Sequence, residues 1–196
     1  MVIRRIFLVS CLLASCVFAS SESKNLAFRA DKAVQAGKFA KAYGLYERAL
    51  LSSRKESDIL SEGRILISMA TLRTQSLDVQ FASDLLKQVH KSDLDTNSLA
   101  AYYLAWMELY LEKKNFDKVI EIKYSMSEKF LEKIPDALRG AILCTAAIAF
   151  AGKGDSKNAK KYLKDAEDAL DGDAPGKLTF AEARVASLLR SEEHTS

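Results

Sequence analysis

The chain has 196 residues, 48% of them hydrophobic and 28% charged, with only 8 Gly and 2 Pro. So few breakers among abundant Ala, Leu, Lys and Glu exclude an all-β fold and point to helices. The formal charge is +3, and setting aside Arg4, Arg5, Glu192 and Glu193 leaves it there. The charges are interspersed rather than clustered, which excludes a polyanion-binding patch and argues against nucleic acid as a partner.

Residues 1–20 read as a targeting segment outside the fold. Arg4 and Arg5 form its positive start, and the apolar run over residues 6–14 falls short of the roughly 20 residues a spanning helix needs. Next comes Leu13-Ala14-Ser15-Cys16: a branched apolar residue, two small ones and a cysteine. This resembles the lipobox of bacterial lipoproteins. The resemblance implies cleavage before Cys16, diacylglycerol on its thiol and acylation of the new amino terminus, which together make a stable anchor. Val17 rather than Asp after the cysteine favours the outer membrane, with the domain facing the periplasm. Ordinary secretion stays open, because Val17-Phe18-Ala19 offers the small-residue spacing of a simple signal peptidase site. Only Cys144 then remains in the mature chain, so an internal disulfide is excluded. It sits in an apolar helical stretch, where a buried, inert thiol is expected.

Beyond a polar tether over residues 21–24, apolar periodicity predicts helices in pairs. They span about 25–36 with 39–53, 58–74 with 78–90, 97–113 with 116–132, and 136–152 with 156–170. A last helix lies over about 178–190. Each pair turns on a short polar or glycine-bearing connection, at Gly37, near Leu77, at Lys114 and at Gly154, in steps of 40, 37 and 40 residues.

Small residues recur at matched places. Ala30, Ala70 and Ala147 stand where the two helices of a pair would cross, with Met107 in the third pair. Ala42, Ala82 and Ala159 stand early in the second helices, with Val119 in the third. Helices approach to about 8–10 Å only where such side chains are short. The arrangement resembles the tetratricopeptide (TPR) repeat family over residues 25–170, although that family repeats every 34 residues or so. The resemblance implies an all-α, TPR-like α-solenoid of about four antiparallel helix pairs plus a C-terminal helix. The third first-helix, apolar almost all round over residues 99–110, suits the middle of such a stack.

The family's first helices line a groove that receives a protein partner. The resemblance would put Asp31, Gln35, Arg64, Thr71, Gln75, Glu108 and Glu112 there, and the apolar Leu104, Leu111, Cys144 and Ile148 at further groove positions. Two fates stay open for the apolar four, cover by the last helix or an apolar partner segment.

Motifs for chemistry are missing: no metal-binding His pair, no Cys-x-x-Cys, no phosphate loop and no nucleophile elbow. No enzyme and no cofactor are expected. His90 is expected to end a helix, where a cation meets the negative end of the dipole. The stretch 171–182 has the register of an EF-hand loop, with Asp171, Asp173 and Glu182 as oxygen ligands. Pro175 removes one ligand place, and Thr179 with Glu182 would equally form a capping box for the last helix. Residues 190–196 are similar to the in-frame translation of a common sequencing adapter, and 191–196 are read as a non-native tail.

The domain reading is therefore a leader and anchor region over 1–20, a helical domain over 21–190 and a tail over 191–196. The function expected is a membrane-anchored scaffold for an envelope protein or peptide. The alternative is a soluble periplasmic or secreted helical module that binds a small ligand or calcium.

Overall fold

Local chemistry builds the helices, and a computed structural model describes them over residues 21–170 and 175–193, without the side chains of 175–177 and 191–193. The leader with Cys16, the residues Asp171 and Asp173, and residues 194–196 lie outside the described residues. Among the described residues all regular structure is helical, with ten α-helices and no strand.

The chain divides into two units, residues 1–105 and 106–196, with the division inside α5. In the first unit α1 (Glu22–Gln35) packs on α2 (Phe39–Lys55), α2 on α3 (Ile59–Gln75), and α3 on α4 (Val79–Lys87). A 3-10 turn (Lys91–Asp93) leads into α5 (Thr96–Glu112). In the second unit α6 (Phe116–Ser125) and the one-turn α7 (Glu128–Leu131) precede α8 (Asp136–Gly152), α9 (Ser156–Leu170) and α10 (Pro175–Glu193). There α8 packs against α6, α9 and α10.

Five of the connections share one geometry. After α1, α2, α3, α5 and α8, a residue with positive φ stops the helix: Gly37, Ser57, Leu77, Lys114 and Gly154. Each donates its N–H to the carbonyl three residues back, and the next residue donates to the carbonyl five back, as in Gly37 to Val34 and Lys38 to Ala33. This is the Schellman arrangement, which satisfies the orphan carbonyls of a helix end. In four of the five, that next residue also caps the following helix: Asp58, Asp78, Asn115 and Asp155 each accept a backbone N–H three residues on. One residue thus closes one helix and opens the next, so each turn takes three residues.

The small-residue positions bury as the sequence predicts. Ala30, Ala42, Ala70, Ala82, Ala147 and Ala159 are all 0% exposed, and so are the larger Met107 and Val119. Two glycines permit closer contact still. A Cβ on Gly152 would stand 2.4 Å from Phe116 Cζ, and one on Gly140 would stand 2.5 Å from the Leu170 side chain.

Several boundaries differ from the expectation, each for a local reason. α1 begins at Glu22, because Ser21 caps it by accepting the Lys24 N–H. The helix expected over 116–132 breaks in two. Met126 turns extended and buried, and Ser127 caps α7 through the Phe130 N–H. α4 stops at Lys87, and Val89 turns into the core. His90 therefore lies past the helix end with φ −86° and ψ 107°, not on its last turn. α10 starts at Pro175, the residue type best suited to a first helical position. Thr179 and Glu182 are thus inside the helix, and the expected capping box does not form there. The helix buried on all sides is α8, from Gly140 through Ala151, whereas α5 keeps Tyr102, Tyr103, Trp106 and Tyr110 partly exposed.

Candidate functional site

The seven groove residues divide between the units. Asp31, Gln35, Arg64, Thr71 and Gln75 belong to the first, Glu108 and Glu112 to the second. On α3, Arg64, Ser68, Thr71 and Gln75 recur at helical spacing and are all half-buried, which makes a polar stripe on one face. α1 touches α3 and carries Asp31 half-buried and Gln35 exposed.

Two of the charges are committed within the fold. Asp31 accepts a hydrogen bond from the Tyr46 hydroxyl, 2.5 Å away. Arg64 pairs with Asp95, and its Nε donates to the Ser98 hydroxyl at 2.8 Å, tying α3 to the start of α5. Burial raises the Asp95 carboxyl, but the Ser98 hydroxyl and N–H together with Arg64 outweigh it and hold its pKa below the usual value. Thr71 and Gln75 stay half-buried on the stripe.

In the second unit Arg184 of α10 stands 3.9 Å from Glu112 of α5. Leu111, Cys144 and Ile148 are buried, as is Leu104 in the first unit, and α10 packs on α8 and α9. Cover by the chain itself therefore accounts for the apolar positions on α8. Glu182 lies exposed on α10, while the other two oxygen donors of the EF-hand-like stretch are outside the described residues. Among the described residues no group of three or more His, Cys, Asp or Glu side chains is placed to hold a metal.

Three further clusters join side chains from different helices, a meeting that the sequence does not signal. A cleft of ≈ 440 Å³ in the first unit is lined by residues of two stretches, Ile59, Glu62, Gly63 and Leu66 from α3 and Gln88, Val89, His90 and Asp93 from the segment after α4. Arg54 joins the two stretches, with Nε 2.7 Å from Glu62 and a hydrogen bond to Gln88 at 3.4 Å. The Arg73 guanidinium lies 4.0 Å from the Tyr43 ring centre and 4.8 Å from that of Phe81, a cation between two π-faces joining α2, α3 and α4. In the second unit the buried Lys123 sits 3.5 Å from Glu128 and 5.4 Å from the Tyr162 ring centre. Burial, with Tyr124, Glu128 and Asp165 nearby, pushes the Tyr162 phenol up to about 12. The ring stacks on Phe150 at 5.1 Å, so this cluster serves as a core in which a cation is paired rather than bare.

Comparison with protein-family models, curated proteins and solved structures found no match. Among the described residues no helix is long and apolar enough to cross a membrane.

Proposed function

We propose that the protein is a non-enzymatic, TPR-like lipoprotein, anchored through acylated Cys16 to the outer membrane and facing the periplasm. There it acts as a protein–protein interaction scaffold in an envelope complex. The observation that carries this reading is the repetition of one turn geometry at five helix ends, with buried small residues at matched places in the helices it joins. Chains built by repeating a helix–turn–helix unit commonly use the faces left by their stacked helices to hold partners. The half-buried polar stripe on α3 is the partner face.

Affinity capture of the full-length protein from gently crosslinked membranes tests the reading. Arg64 is a poor probe, because Asp95 and Ser98 hold it in the fold. Thr71→Arg with Gln75→Arg changes the stripe itself. The expected outcome is one stoichiometric envelope partner with the native chain, reduced about tenfold in the double variant at unchanged thermal stability. Full retention of the partner by the double variant would remove the stripe from the interface.

The cleft favours a second reading, a module that binds a small ligand, because ≈ 440 Å³ lies within the roughly 300–1,000 Å³ of small-molecule sites. Loss of a bound small molecule from the native protein on Leu66→Trp, without loss of the protein partner, would move the function there.

A further inference from the structure

We infer that the anchored protein stands on the bilayer through one end of its first unit, with Leu51 and Ile59 seated at the boundary between headgroups and acyl chains. This rests on the lipid-anchor reading above and adds the orientation and the contact surface.

The chain order sorts the two ends of the unit. Three-residue turns join α1 to α2, α2 to α3 and α3 to α4, and each pair is packed together. The start of α1 and the turn over 56–58 therefore share one end, and the turns at Gly37 and Leu77 share the other. α3 has 17 residues, which separates the two ends by about 25 Å.

The chain enters the unit at the first of these ends, and its entry is held. Glu56, past the end of α2, accepts the Ser23 hydroxyl at 2.7 Å and the Ser23 N–H at 3.3 Å. Lys24 pairs with Asp58 at 3.2 Å. The first turn of α1 is thus clasped to the turn between α2 and α3. Five residue steps separate Ser21 from Cys16, and a chain of that length reaches at most about 18 Å in any conformation. With helix expected only from about residue 25, nine steps and about 32 Å would have been available. The early start of α1 shortens the leash to less than the length of the unit.

That end also carries apolar side chains. Leu51 is 59% exposed and Ile59 is 55% exposed, on either side of the 56–58 turn. Lys24 in the first turn of α1 and Arg54 and Lys55 in the last turn of α2 belong to the same end, and such long side chains lay their carbon stems along apolar surface while keeping the charge in water. Acidic residues are interspersed here, Glu56, Asp58 and Glu62 among them, so the contact is made by the apolar pair and the short leash and does not require an anionic lipid.

The test uses full-length, acylated protein in phosphatidylethanolamine–phosphatidylglycerol vesicles, with part of the lipid brominated along the acyl chains. Ile59→Trp and Leu77→Trp are compared in otherwise native chains, so that Trp106 contributes equally to both. Leu77, 63% exposed at the opposite end, is the matched control. The added tryptophan at 59 is expected to be quenched about threefold more than that at 77. Equal quenching in protein that floats with the vesicles would overturn the orientation and leave the anchor standing. Flotation of the Cys16→Ser chain to the same extent would overturn the anchor reading and this inference with it.

Discussion

Three of the five residues that end helices in the left-handed region carry side chains: Ser57 at φ 55°, Leu77 at φ 63° and Lys114 at φ 54°. An L-residue there strains Cβ against the backbone, and glycine avoids that strain. Leu77 is the clearest case, because it is mostly exposed and little packing is lost on its removal. Leu77→Gly is expected to stabilise the protein by about 0.5–1 kcal/mol, and Gly154→Ala to destabilise it by about 1 kcal/mol. Urea midpoints at unchanged slope measure both, and a Leu77→Gly chain less stable than native would refute the account. Gly37 and Gly154 were legible as turns because glycine is a turn signal. Ser57 and Leu77 were not signals themselves. Their turns are encoded one residue later, by Asp58 and Asp78, whose side chains cap the next helix.

At the scale of elements, carboxylates at helix starts hold neighbouring helices in place. Asp95 caps α5 by accepting the Ser98 N–H at 2.8 Å and pairs with Arg64 of α3. Asp58 caps α3 and pairs with Lys24 of α1. For both, burial raises the pKa, and the hydrogen bonds and cations more than reverse it, so the folded value lies below the ordinary 3.8. A depressed folded pKa contributes stability that is complete above the unfolded value and is lost as pH falls through the folded one. Stability should therefore be level at neutral pH and decline below about pH 4, and Asp95→Asn should make that decline shallower while lowering stability at pH 7. Denaturant melts between pH 2 and 7 measure this, and an identical acid slope in the variant would exclude Asp95 as a source. The caps can be read locally, since they act over three residues. The partners Arg64 and Lys24 cannot, because each lies more than thirty residues from its carboxylate in the chain.

At the scale of the whole molecule, the proposed lipid anchor at Cys16 carries its own test. Cys16→Ser should move the protein from the membrane fraction to the soluble fraction with its helical circular dichroism unchanged. Persistence in washed membranes would show that something other than the acyl chains retains it. The helices and most of their turns, and the small residues at the crossings, were determined by the sequence alone. Their signals are apolar spacing of three and four residues, caps three residues long and breakers in place, all local along the chain. Tertiary structure alone decided the rest. It broke the helix at Met126 so that this side chain could enter the core, and it buried α8 rather than α5 on all sides. It also joined Glu56 to Ser23 across 33 residues, a clasp that holds an earlier start to α1. These features depend on which surfaces meet, and a chain read in order does not contain that until its helices have packed.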